Sequence, residues 1–175
     1  MNRDYILGMQ NQPIHFNRLT RDMFTTREII HHLAWTCRYN GNMRKWYSNA
    51  EHSIHCSLMH PEREVQRAAL IHDFGEFITG DVLGPIKRFL PDYTAFAESI
   101  QSQMNFFYLG RHVLPEQVKE IDKRMTATEM LYLRGWEGAS IEPYTTCFFF
   151  SWEKEEAQFQ LTRRFRELFP EVLDV

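Results

Sequence analysis

The sequence predicts an all-α protein. Apolar residues recur at helical spacing along most of the chain, and capping signals, glycines and prolines bracket those stretches. The one segment of strand-like composition, Thr145 to Phe150, has no second strand to pair with. The 175 residues suit one domain, and 43% of them are hydrophobic, enough to bury a core. No internal repeat, low-complexity tract or Gly/Ser linker divides residues 1–175, so a single domain is expected.

Residues 1–24, with Pro13, His15 and Asn17, read as an irregular arm. Thr25-Thr26 then offers an N-cap to a helix with apolar positions 29, 30, 33, 34 and 37. Arg38 to Asn42 is a turn in which Gly41 is free to take positive φ. Ser48-Asn49-Ala50-Glu51 matches the capping box and opens a helix that carries His52, His55 and Cys56 and stops before Pro61. One helix is expected from Glu62 through His72-Asp73 to Ile78, ended by Thr79-Gly80.

Asp81 to Pro85 reads as a loop, Ile86 to Leu90 as a short helical turn, and Asp92 to Tyr108 as a helix. Pro115 starts the helix Glu116 to Arg134, whose apolar stripe is Val118, Ile121, Met125, Thr128 and Leu131. Gly135, Gly138 and Pro143 interrupt the chain. Trp152 to Leu168 is the last amphipathic helix, with Ala157, Phe159, Leu161, Phe165 and Leu168 facing inward and Pro170 as its stop. The aromatic run Phe148, Phe149, Phe150 and Trp152 suits either the core or a face against a second copy.

Composition excludes several classes. With 20 Lys+Arg against 23 Asp+Glu and a pI near 6.2, the chain is not built to coat long nucleic acid by charge, although a small anion needs only two or three local cations. No apolar run approaches the roughly 18 residues of a membrane span, and Met1 to Gln10 holds no apolar signal segment. Cys37, Cys56 and Cys147 form neither a metal clip nor a disulfide framework and are expected as buried reduced thiols, which suits a cytoplasmic protein.

Three places put ionisable groups where a solvated surface does not explain them. His72-Asp73 lies in the largely apolar run Ala68 to Phe74, where an imidazole and a carboxylate are costly without a partner. His52 stands one turn past a capped helix start, and Asp122 follows Ile121 in a core-facing stripe. Taken singly each has a plainer reading, as a hydrogen-bonded structural pair or an exposed helix charge. Together, two imidazoles and two carboxylates make a mixed N/O set suited to Mn, Co, Fe or Zn with room for water. Glu76, four residues after His72, is expected on the same helical face, where a carboxylate can deprotonate an attacking water. Asp81 can act from the other side, and Lys87 supplies a cation for phosphate.

This arrangement resembles the HD-domain metal-dependent phosphohydrolases, in which a His, a later His-Asp pair and a final Asp recur. Tyr47 to Ser53, Ala69 to Glu76, Thr79-Gly80-Asp81 and Pro85-Ile86-Lys87 are similar to the YfbR-like 5′-deoxynucleotidase branch. Leu33 to Gly41 looks like a segment of related phage and bacterial proteins, among them the DatZ-type dATP triphosphohydrolases. The likeness covers residues 25 to 134. It implies a helical bundle of HD type in which His52, His72, Asp73 and Asp122 hold one divalent ion (Co, Mn, Zn or Mg). It further implies Glu76 and Asp81 as the groups that handle water and protons.

Arg38 and Tyr39 would meet phosphate and sugar, with Lys87 as a second cation. Tyr39 departs from the Trp usual in the bacterial nucleotidases, and the interval between His52 and His72 is short. The activity implied is removal of the 5′-phosphate or triphosphate from free deoxynucleotides by a homo-oligomer, a dimer or hexamer. Tyr39 is the expected barrier to a 2′-hydroxyl. A cyclic nucleotide phosphodiesterase of the same fold is a second reading, although no second set of ligands is apparent. A catalytically silent nucleotide sensor is a third, against which Glu76, Asp81 and Lys87 speak together.

Overall fold

Local sequence accounts for most helix starts in the computed structural model, which describes residues 4–175. Helix α1 (Thr26–Trp35) begins in a full capping box: the Thr25 side chain accepts from Glu28 N–H, and the Glu28 carboxylate accepts from Thr25 N–H. Helix α2 (Asn49–Leu58) is capped by Ser48, which accepts from Glu51 N–H at 3.1 Å. The expected return bond from Glu51 is not made. Its buried carboxylate instead accepts from the N–H groups of Phe150, Ser151 and Trp152, at 2.8 to 3.1 Å, and so anchors a distant loop.

The remaining helices are α3 (Arg63–Ile71), α4 (Glu76–Thr79), α5 (Gly84–Lys87), α6 (Pro91–Leu109), α7 (Glu116–Arg134) and α8 (Lys154–Leu168). The architecture is all-α, apart from a small antiparallel pair in the arm. There β1 (Tyr5–Leu7) and β2 (Pro13–His15) pair with Ile6 opposite Ile14. Contrary to the irregular reading, the arm holds regular structure among its described residues, 4–24; residues 1–3 lie outside the described part. Three-residue strands are too short for an alternating pattern to register, and this pair is held from outside, since Met9 N–H and the Gln12 amide both donate to Glu28 at 2.8 Å. Thr145 to Phe150 forms no strand.

The single helix expected from Glu62 to Ile78 is broken after Ile71. The Gln101 side chain of α6 inserts where the α-helical bond from Gly75 N–H to Ile71 O would be. Its amide donates to Ile71 O at 3.0 Å and accepts from Gly75 N–H at 2.7 Å. Gly75 permits this approach, since a Cβ there would stand 2.9 Å from Gln101 Oε1 and 3.1 Å from its backbone. The chain then runs in tight three-residue turns, with Phe74 N–H to Ile71 O at 3.0 Å and Glu76 N–H to Asp73 O at 3.0 Å. At about 120° per residue in such turns, His72 and Glu76 diverge more than they would on an α-helix, though both line one small pocket.

Two apolar clusters hold the bundle. The larger joins α1, α6 and α8 through Ile29, Leu33, Met104, Leu161 and Phe165. The smaller joins α2, α3 and α7 through Cys56, Val65, Ala69, Val118, Ile121 and Met125. Phe159 lies outside both and is 60% exposed, so the inward face of α8 is narrower than its sequence suggested. From the aromatic run, Phe149 packs against the smaller cluster, while Phe148 and Phe150 are exposed. Among the described residues no helix is long and apolar enough to cross a membrane.

Candidate metal centre and adjoining cavity

Two helices and the broken segment bring the four expected donors to one point. His52 comes from α2, His72 and Asp73 from the tight turns after α3, and Asp122 from α7. The two Nε2 atoms are 3.3 Å apart. Asp122 Oδ1 lies 3.2 Å from His52 Nε2 and 3.8 Å from His72 Nε2, and Asp73 Oδ2 lies 3.8 and 3.4 Å from the same atoms. Donors that share an ion at about 2.0–2.2 Å stand about 3.0–3.5 Å from one another; three of these five spacings lie in that range and two, at 3.8 Å, lie just beyond it.

The second nitrogen of each imidazole is already committed. His52 Nδ1 lies 2.5 Å from Glu129 Oε1, and His72 Nδ1 lies 2.7 Å from Ala69 O. Both partners only accept, so both Nδ1 atoms carry protons, and in neutral rings both Nε2 atoms present lone pairs. Two Nε2 atoms and two carboxylates thus converge on one point. At an effective dielectric near 20, unit charges 4 Å apart interact by about 4 kcal/mol, several times the ~1 kcal/mol net of a hydrogen bond. Charge therefore decides what fits, and the donor set fits a cation.

The electrostatics carry the same imprint. Burial and then Arg38 lower the pKa of His52, yet Cys56, Glu129 and Asp122 around it hold the net value well above the ordinary one. For Asp122, burial acts upward and is overridden by the hydrogen bonds from His52 and His72, which hold it well below the usual carboxylate range.

Glu129, on the same face of α7 two turns after Asp122, is fully buried. Besides His52 it accepts from Tyr47 at 2.9 Å and from the Tyr39 hydroxyl, and Arg38 Nε lies 3.3 Å away. Burial pushes this carboxyl up, but Arg38, His52 and the hydrogen bonds win and bring it to about 2. The sequence reading missed Glu129. Its signal was an acid seven residues after Asp122, inside the stripe of Met125 and Thr128.

Cys56 was also missed as a neighbour of the site. His52, Cys56 and His72 offer ligand atoms all within 4.8 Å of one another, a buried group that could hold a metal ion. The sulfur lies 3.5 Å from His52 Nε2 but also 4.0 Å from Nδ1. It thus sits beside the ring rather than out along the Nε2 lone pair.

A cavity of about 820 Å³ opens beside these donors, within the usual range for a small-molecule site. Arg38, Tyr39, Asp73, Glu76, Asp81, Lys87 and Asp122 all line it, so seven of the nine expected site residues face one space, with His52 and His72 beside them. Glu76 is nearly buried, and Asn49 Nδ2 donates to its Oε2 at 2.5 Å. Burial, with Asp73 and Asp81 adding to it, pushes the Glu76 carboxyl well above the ordinary carboxylate range, and burial raises Asp81 too.

Arg38 and Tyr39 arrive on a turn in which Tyr39, Asn40 and Gly41 all have positive φ (57°, 54° and 72°). For Tyr39 that backbone is strained by roughly 1–3 kcal/mol. The Tyr39 hydroxyl bond to Glu129 and the Arg38 N–H bond to Tyr47 O, at 2.9 Å, hold it there. The hydroxyl of Tyr39 is thereby spent on Glu129, and only the ring is left for a ligand.

No family model matches the sequence. Among curated proteins the chain is similar to the uncharacterized protein YfdR of Escherichia coli (strain K12), with 31% identity over 125 residues that cover 71% of this chain and 70% of that protein.

Proposed function

We propose that this chain, which belongs to the family of Escherichia coli YfdR, is a metal-dependent phosphohydrolase of 5′-deoxynucleotides. The observation that carries the reading is the convergence of two imidazole Nε2 atoms and two carboxylates beside a cavity that also holds Glu76, Asp81, Arg38 and Lys87. One divalent ion, Co, Mn, Zn or Mg, would be held by His52, His72, Asp73 and Asp122. When bound it supplies Lewis acidity and brings the pKa of water towards neutrality.

The chain's own residues supply the rest. Arg38 offers a planar fork to two phosphate oxygens, and Lys87 offers a point charge. Glu76, held by Asn49 at the cavity wall, takes the proton of the attacking water. Asp81, whose raised pKa suits a proton donor, protonates the leaving 5′-oxygen. Attack at the α-phosphorus releases the deoxynucleoside, with phosphate from a monophosphate or triphosphate from a triphosphate. The Tyr39 ring in the cavity wall closes the space a 2′-hydroxyl would need.

A panel of deoxy- and ribonucleoside mono- and triphosphates tests this, with Mn, Co, Zn or Mg added and phosphate and triphosphate measured. Glu76→Ala is expected to fold and lose turnover, while His72→Ala and Asp122→Ala lose the ion. Tyr39→Ala is expected to narrow the gap between deoxy- and ribonucleotides. Full activity in either ligand variant, or no turnover of any nucleotide by metal-loaded protein, would end the reading.

A further inference from the structure

Asp122, Thr126, Met130 and Arg134 stand at successive i+4 positions of α7 and all line the cavity, so this helix walls it from the metal donors to its own C-terminus. Twelve residues at 1.5 Å each make that wall about 18 Å long. At its far end Gly135 is left-handed (φ 70°). Its N–H bonds to Leu131 O at 2.9 Å, and Trp136 N–H bonds to Met130 O at 3.0 Å. This paired closure fixes the backbone that carries Trp136.

Trp136 lines the cavity yet is 51% exposed, and no other aromatic ring among the described residues pairs with it. The indole lies close against Gly138, where a Cβ would stand 2.5 Å from Trp136 Cζ2. A side chain at 138 would drive the ring from its place. The same cavity also presents Val82, Leu83, Pro85 and Met130, while its charged groups other than Arg134 lie among the expected site residues. Its lining thus asks for a ligand with an anionic group and a flat, weakly polar ring.

We propose that Trp136, seated on Gly138, is the stacking platform for the base of the bound nucleotide. The inference rests on the phosphohydrolase reading and adds the group that grips the far end of the substrate. Stacking on indole tolerates any base, because every base has a π-face. The platform therefore accounts for affinity, not for choice among bases.

The test uses metal-loaded Glu76→Gln protein, which binds without turnover, with deoxyadenosine 5′-monophosphate and the base-free 2-deoxyribose 5-phosphate as probes in calorimetry. The nucleotide is expected to bind at least tenfold more tightly than the sugar phosphate and to quench indole emission. Adding Trp136→Ala removes about tenfold from nucleotide affinity and leaves sugar phosphate affinity unchanged. Trp136→Phe restores most of the loss, and Gly138→Ala reproduces part of it. Equal binding of the two probes by the parent, or equal weakening of both by Trp136→Ala, overturns the platform and leaves the phosphohydrolase reading standing. Binding of neither probe by metal-loaded parent overturns both.

Discussion

The His52 imidazole presents Nδ1 to Glu129 Oε1 across 2.5 Å, inside the protein and out of reach of solvent. This pairing fixes the tautomer, turns the Nε2 lone pair toward His72 and Asp122, and makes the ring a better donor to a cation. Glu129→Gln keeps the volume but removes the charge that faces Arg38 and His52. It is expected to lower metal affinity about 10–100-fold, read by calorimetric titration. Thermal unfolding should also show a loss of about 3 kcal/mol, because Arg38 loses a buried partner. Unchanged metal affinity in a folded variant would remove Glu129 from this role.

Asn49 holds Glu76 without touching the four donors. Asn49→Ala frees the carboxylate to leave its position, so kcat is expected to fall about 10-fold or more while metal affinity stays the same. Parallel steady-state kinetics and metal titration separate the two effects. A variant with wild-type kcat would show that the hydrogen bond positions nothing.

Cys56 packs beside the His52 ring rather than along its lone pair. Cobalt(II) added to the protein is therefore expected to give visible d–d bands without the near-ultraviolet band of a thiolate ligand, and Cys56→Ala should leave that spectrum unchanged. A charge-transfer band that vanishes in Cys56→Ala would place the sulfur among the ligands.

Far from the site, Asp174 clasps the start of α1. Its carboxylate accepts from Arg21 at 2.6 Å and from the Thr26 hydroxyl and N–H at 2.8 and 3.1 Å. Burial raises its pKa, but Arg21 and Thr26 outweigh that and leave it below the usual value. A depressed folded pKa means the clasp stabilises fully above the unfolded pKa near 4 and fades as pH falls through the folded one. In urea melts, wild type should exceed Asp174→Asn by about 1 kcal/mol at pH 7, after allowance for partial exposure. That difference should hold to about pH 5 and disappear at stronger acid. A difference that persists through the acid range would contradict it.

Local sequence determined most of the helices and singled out the candidate donors. The Thr25 and Ser48 caps, the Pro115 entry and the apolar spacing of α7 are short-range facts, written within a few residues of where they act. The residues His52, His72, Asp73 and Asp122 could be singled out because ionisable groups beside apolar neighbours demand a partner. What the sequence left undecided depends on groups far apart in the chain. Gln101 enters the ladder between Ile71 and Gly75, across 26 residues, and breaks the helix there. Glu129 meets His52 across 77 residues, and Glu51 leaves its own helix end to bind Phe150. A buried polar group takes whichever partner the packing brings within 3 Å, and no local pattern encodes that choice.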